Sequence, residues 1–491
     1  MKLVEFFIIV QLFLVLCCKS NSKNILGLFP LKLKSHNLMF DSIMKELARR
    51  GHNVTVVTGF PKSVPIPNFT DIDVSDCDRT PVNLFDMDKA YRSHDPFFQL
   101  YIFMELAKND EAILRCPTLS KLFHSKDSYD LVITEIFNSD VMLGFVKQFG
   151  APYISFCASP IFPWAADRMG NPDNPAYITY QHSSVILDLK GSTFYQRLFN
   201  TVIYIFAKIK YYLVNLESER MKRKFFNFTS PSLDEISRNT SLILSFSHFS
   251  TNERQPLVPN VIQVAGLQIV KTSPLPKDIE KFINESEHGV IYFNMGSLLK
   301  SETMPEAKRN AFLNVFSKVP QRVLWKWGND TLPGKTDNIF ISKWFPQRDI
   351  LAHPNIKLFI SHGGALGVNE AVYEGVPILG IPIFADQTLN LKTIQSYGAA
   401  EVLEYSDINE KTVLSKIELF LKSNEYSKNM KKLSEIYRDR PISAMDTAIY
   451  WIEYVIRYKG APHLRSAAFE NVNKIYMRKI KTEKDRFQEE K

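Results

Sequence analysis

Five cysteines in 491 residues are few, and two of them, Cys17 and Cys18, lie in an apolar leader. The other three, Cys77, Cys116 and Cys157, are odd in number and widely spaced. They predict neither a disulfide framework nor a metal motif. No GxGxxG turn follows the opening strand pattern, so a dinucleotide cofactor is not indicated. Charge of one sign is scarce too: 60 basic against 52 acidic residues leave a net +8, and the basic side chains are scattered rather than striped. A nucleic-acid partner is therefore not expected. Past the leader, no apolar run is long enough to cross a bilayer. Residues 194–214 are rich in Phe, Tyr and Ile but are broken by Arg197, Lys208 and Lys210. The segment after Val472 is charged, and no Lys-Asp-Glu-Leu-type retention signal follows it.

The length points to two domains, and 45% hydrophobic with 23% charged residues is the balance of a globular chain. Lys2, the apolar run over 6–18 and the small residues Ser20 and Ser22 read as a secretory signal peptide over residues 1–20. Six Asn-x-Ser/Thr sequons, at Asn53, Asn68, Asn227, Asn239, Asn284 and Asn329, fit a lumenal route. Asn53 heads a strand pattern and is expected to be too buried for modification. The expected location is the endoplasmic reticulum lumen or secretion, without a carboxyl-terminal membrane span. Two readings fit 194–214: a core helix with basic edges, which is the expected one, or a helix making peripheral contact in the membrane interface.

Strand and helix patterns alternate. Strands are expected at 24–29, 53–58, 131–134, 153–156 and 242–246, with helices at about 38–50 and 140–149 among them. Alternation of this kind predicts an α/β fold with doubly wound parallel sheets. The stretch 271–287 is rich in Pro, Lys and Glu and reads as an interdomain linker. A second alternating region opens with a strand at 289–295, which runs into Gly296-Ser297. A helix near 304–318, a strand at 322–326 and the tetrad Trp344-Phe345-Pro346-Gln347 follow, and helices close the region at 409–422, 426–437 and 444–458.

The densest signal runs over 359–387, FISHGGALGVNEAVYEGVPILGIPIFADQ. An apolar strand ends at Ser361-His362-Gly363-Gly364, and a helix follows from about Gly367 to Glu374, ended by Gly375. Paired glycines at a strand–helix junction leave free backbone N–H groups beside the positive end of the helix dipole, which suits a diphosphate. Strand ends form the crevice of an open parallel sheet, so His362, Glu370, Asp386 and Gln387 are expected to share one pocket. Carboxylates there would accept from sugar hydroxyls. His36 follows the first strand at the same kind of edge. A lone loop histidine is commonly just an exposed side chain.

This spacing resembles the signature of the UDP-glycosyltransferases: an aromatic-apolar-Ser-His-Gly-Gly turn, Gly367, Glu370, Pro377 and Pro382 framing a strand, then Asp-Gln. One departure is Leu366, where relatives often carry a polar residue. The resemblance implies the GT-B fold, with an acceptor domain at 23–270, a linker at 271–288 and a UDP-sugar domain at 289–440. A helix at 441–460 returns to the first domain, and 461–491 is a charged tail lacking the family's anchor. It implies that Gly296, Ser297, His362, Gly363 and Gly364 meet the diphosphate, that Trp344 stacks on uracil and Gln347 meets uracil or ribose, and that Asp386 and Gln387 serve the sugar. His36, in Ser35-His36 ahead of an apolar helix, looks like the family's general base. Its acidic partner is Glu135, where the family usually has Asp, or Asp140 one turn on. The implied reaction is inverting transfer from UDP-sugar, glucose by preference, to a hydroxyl of a small lipophilic acceptor. No metal or other cofactor is expected. The alternative is a catalytically weak nucleotide- or ligand-binding protein of the same fold. Sequence leaves the acceptor and the oligomeric state open.

Overall fold

The structure, a computed structural model, describes residues 22–79, 86–92, 96–183, 187, 191–252 and 254–467. The expected signal peptide and most of the charged tail lie outside the described residues. Near-continuous apolar runs form the central strands, as in parallel sheets covered on both faces. The first sheet contains β1 (Asn24–Phe29), β2 (Asn53–Thr58), β3 (Phe69–Asp73), β4 (Leu131–Glu135), β5 (Tyr153–Cys157), β6 (Leu242–Ser245) and β7 (Val261–Gln263). Its order is β3-β2-β1-β4-β5-β6-β7, and every pairing is parallel. Around it run α1 (Lys34–Arg49), α2 (Pro96–Leu114), α3 (Pro163–Met169) and α4 (Phe194–Phe226).

The second sheet, also all parallel, contains β8 (Val290–Asn294), β9 (Arg322–Lys326), β10 (Ile339–Ser342), β11 (Ile356–Ser361), β12 (Ile378–Gly380) and β13 (Ala400–Val402) in the order β10-β9-β8-β11-β12-β13. Its covering helices include α5 (Ala365–Glu374) and α6 (Gln387–Ser396). Each sheet reverses its winding once, between β1 and β4 and between β8 and β11. Those switch points are where open α/β sheets leave a crevice beyond the strand ends. The last described α-helix, α7 (Ala444–Arg457), buries Ala448, Ile449, Ile452 and Val455 in the first domain's core. Arg50 at the end of α1 donates to Asp446 of α7 at 2.5 Å.

Several expectations need correction. Cys77 and Cys116 form a disulfide. Their 39-residue separation hides a proximity created when β3 and the helix Pro117–Phe123 pack together. Asn53 is exposed, because it sits at the strand's mouth with its amide bonded to Asn24. The stretch 277–284, read as linker, is a helix whose Ile279 and Ile283, one turn apart, are buried against the second sheet. α1 begins at Lys34, which puts His36 in its first turn rather than in a loop. α4 is not simply a core helix: one face is buried and the other carries exposed apolar side chains. Edge strands β3, β10 and β13 and helices α2, α3 and α6 were not foreseen.

Candidate active site

α1 starts beside the carboxyl end of β1, and β4 pairs with β1. This brings His36 against Glu135, the last residue of β4, with 2.5 Å between Nδ1 and Oε1. An ionised carboxylate only accepts, so the contact fixes the proton on Nδ1 and leaves Nε2 with its lone pair free. Burial pulls the imidazole pKa down. The charge and hydrogen bond of Glu135, aided by the charge of Asp386, outweigh that and hold it above the ordinary 6.5. Asp140, the other candidate partner, is not at His36. It is buried against Arg168 of α3 and accepts from Asn215 at 2.9 Å. A buried guanidinium requires a counter-charge, and Asp140 supplies it.

On the opposite domain, His362 stands at the end of β11, walled by two backbones. A Cβ on Gly296 or on Gly364 would come within 2.5 Å of its ring. Gly296 also has φ +87°, a conformation side-chain-bearing residues rarely adopt. Burial and nearby Lys326 pull His362 down to about 3, so it is a neutral imidazole, and its Nδ1 has no hydrogen-bond partner among the described residues. Gly363 and Gly364 lead into α5, whose amino end opens on the same cavity. Ser297 is exposed there. Leu366 lines the cavity and packs against the first domain's core, so its apolar side chain serves the contact between domains.

Trp344 presents an indole that is 54% exposed, while its neighbour Phe345 is buried. Gln347 is locked in a polar chain: its Oε1 accepts from Asn294 at 2.7 Å and its Nε2 donates to Glu370 at 2.8 Å. Burial pushes Glu370 up to about 7 against the pull of Gln347 and Arg348. Asp386 accepts from Asn390 at 2.8 Å, and burial raises its carboxyl although His36 opposes this. Gln387 is differently employed. Its Oε1 accepts from the backbone N–H of Ile383 (2.8 Å) and Phe384 (3.1 Å), tying down the loop that carries Asp386.

These groups line two joined cavities. The larger, about 330 Å³, has Ser35 and His36 on one side and Ser297, Trp344, His362 and Asp386 on the other. The smaller, about 120 Å³, is an apolar chamber with Phe103, Phe137, Phe162 and His182 in its wall. His36 and Asp386 border both. Lys326 was missed by sequence reasoning. It ends β9, lines the larger cavity, donates to the Gly296 carbonyl at 2.5 Å and stands 5.8 Å from the Trp344 ring centre. A cation at a strand's carboxyl end was the available signal. Asp110 was missed as well, and a lone Asp within a helix gives no signal. It is buried on α2 and accepts from Ser139. Burial and the charge of Glu135 raise it to about 7 against the Ser139 bond. Among the described residues, no group of three or more His, Cys, Asp or Glu is placed to hold a metal ion.

A family model described as "UDP-glucoronosyl and UDP-glucosyl transferase" matches residues 162–473. The chain is 49% identical over 461 residues to "UDP-glycosyltransferase UGT5" of Dactylopius coccus, covering 91% of this chain and 86% of that protein. It is 40% identical to "UDP-glucosyltransferase 2" of the same organism, covering 94% and 89%. Among solved structures, the "Glycotransferase of kitacinnamycin" superposes with a TM-score of 0.60 at 13% identity, over 88% of this chain and 99% of that one. That likeness is one of architecture: two parallel-sheet domains facing a cleft, the GT-B fold.

Proposed function

The chain belongs to the UDP-glucuronosyl and UDP-glucosyl transferase family and is a UDP-glycosyltransferase, and we propose that it moves glucose from UDP-glucose to a hydroxyl of a small lipophilic acceptor with inversion. The observation that carries this reading is the position of His36, held by Glu135 and facing Asp386 where the polar and apolar cavities meet. The acceptor lies in the apolar chamber with its hydroxyl at His36 Nε2. The acceptor oxygen attacks the sugar's C1, the bond from C1 to the diphosphate oxygen breaks, and the proton passes to Nε2. Glu135 stabilises the imidazolium that forms. UDP departs on the opposite face, which makes the product a β-glycoside.

The growing negative charge on the leaving diphosphate meets Ser297, the neutral N–H of His362 and the amino end of α5, with Lys326 adding a cation. Trp344 offers a flat face to uracil, Gln347 and Glu370 the polar edge for uracil and ribose, and Asp386 an acceptor for sugar hydroxyls. These groups serve the charge without a metal or other cofactor in the proposal. Glucose is favoured because one relative carries the name of a glucosyltransferase. A lumenal or secreted location is part of the reading. The Cys77–Cys116 disulfide suits an oxidising compartment, all six sequon asparagines are exposed, and no helix of the described residues is long and apolar enough to cross a membrane.

The test is incubation of the purified protein with UDP-glucose, UDP-glucuronate and a panel of phenols, with products read by mass. A β-glucoside is expected. UDP binding without product from any donor would overturn transfer in favour of a binding protein.

A further inference from the structure

α4 has 33 residues, which makes it about 50 Å long at 1.5 Å per residue. Its inner face buries Tyr204, Ala207, Tyr211 and Val214 in the cluster that also holds Phe103 and Trp164. Its outer face is apolar and uncovered. Leu198, Val202, Ile205, Ile209, Tyr212 and Leu216 recur at alternating steps of four and three, so they lie in one line along the helix. Each is between 45% and 64% exposed. Tyr195, at 79%, stands on one shoulder of this line, and Phe199 and Leu213 are exposed on the same side. The face is therefore broader than the narrow seam of a paired coil.

Charge decides what covers it. From Phe194 to Leu216 the helix contains no Asp or Glu, while Arg197, Lys208 and Lys210 lie within it. Lys210 is buried on the inner side. Arg197 flanks the outer face and makes no ion pair among the described residues, its guanidinium donating to the Ser192 carbonyl. Lys208 flanks the same edge and is paired with the exposed Asp167. Beyond the apolar line comes Glu217, paired with Arg220, and then Arg223, exposed and without an ion pair among the described residues. A second copy packed with its helix parallel would set Arg197 against Arg197, and residues 194–216 carry no carboxylate to receive either cation. An anionic lipid surface supplies both an apolar interior and the opposite charge. No helix of the described residues qualifies to span a bilayer, and a long helix with one apolar face and a basic edge lies along the interface instead.

We propose that α4 docks the protein on an anionic lipid bilayer, its outer face sunk to the headgroup level and its axis in the membrane plane. The inference does not depend on the transfer reaction. It has a consequence for it, because the inner face of α4 packs on Phe103, which lines the apolar chamber. A lipid-dissolved acceptor would then lie about one helix diameter from that chamber.

The experiment is sedimentation of the purified chain with phosphatidylcholine vesicles, with and without phosphatidylserine at about one lipid in four. Anionic vesicles are expected to bind at least tenfold more tightly than neutral ones. The triple variant Ile205→Ser, Ile209→Ser, Tyr212→Ser is expected to lose that binding while keeping its affinity for UDP, and Arg197→Gln should lose part of the preference for the anionic lipid. Unchanged vesicle binding by the triple variant would overturn the proposal and assign the contact to the basic tail. A wild-type dimer in sedimentation velocity that the triple variant converts to monomer, without vesicle binding by either, would overturn it in favour of a second copy. A further measurement avoids reliance on the triple variant's folding. A polarity-sensitive dye on Ile205→Cys should shift to the blue on anionic vesicles, and an unchanged spectrum there counts against the proposal.

Discussion

His36 and Glu135 share a 2.5 Å hydrogen bond although 99 positions separate them. β4 lies beside β1, so the residue that ends β4 meets the first turn of the helix that follows β1. The bond does two things: it selects which imidazole nitrogen stays free, and it raises the imidazole pKa above 6.5. A base works only when neutral, so activity should rise with pH through that raised value.

Replacing His36 with Ala should lower kcat by about two to four orders of magnitude and leave UDP affinity unchanged. Glu135→Gln removes the charge that offsets burial, so the acid limb of kcat/KM should move to lower pH. Its plateau should also fall roughly a hundredfold or more, because the tautomer is no longer fixed. Asp140→Asn should leave the limb in place but expose the buried Arg168 charge, costing about 3–5 kcal/mol in chemical denaturation. A limb that shifts in Asp140→Asn and stays put in Glu135→Gln would reverse the assignment.

Gly296→Ala should weaken UDP about tenfold or more, equivalent to about 1.4 kcal/mol. The new Cβ meets the His362 ring at 2.5 Å, in a backbone conformation at φ +87°. Gly334→Ala provides the control: its φ is +81° but its neighbour is Leu313. It should lose stability and keep UDP affinity, as calorimetry with UDP would show.

Asp386→Ala should weaken UDP-glucose at least tenfold, about 1.4 kcal/mol, with little effect on UDP. Gln387→Ala should weaken both ligands, since the Gln387 side chain holds the backbone of Ile383 and Phe384 in place. Equal losses of UDP affinity in the two variants would show that Asp386 also acts through the loop.

Lys210 is buried on α4, with its ammonium 3.8 Å from the Phe103 ring centre and no hydrogen-bond partner among the described residues. Burial lowers its pKa from 10.5 to about 7. Between those values the unfolded chain holds the proton and the folded chain does not, so stability from this group rises with pH, by up to about 1.4 kcal/mol per unit. Lys210→Met should lose that slope and be more stable at pH 7 by about 1–3 kcal/mol. Denaturation at pH 7 and pH 9 measures both effects.

The sequence by itself determined the class of fold and the His-Gly-Gly turn that opens α5, because both are written locally. Buried parallel strands require unbroken apolar runs, and paired glycines at the head of a helix leave its first backbone N–H groups open, so residues 356–387 carry their own geometry. What needed the tertiary structure was everything set by pairings distant in the chain. Sequence offered Glu135 first, with Asp140 one turn on as the fallback. The adjacency of β1 and β4 gave His36 to Glu135, while burial of Arg168 claimed Asp140. Cys77 and Cys116 looked unrelated until β3 packed on the following helices. Lys326 closes a strand pattern in the sequence, but only the pairing of β9 with β8 sets it beside Gly296 and Trp344. The outer face of α4 was ambiguous for the same reason: an apolar stripe states only that it avoids water, and which stripes find cover is decided by what the rest of the chain leaves free.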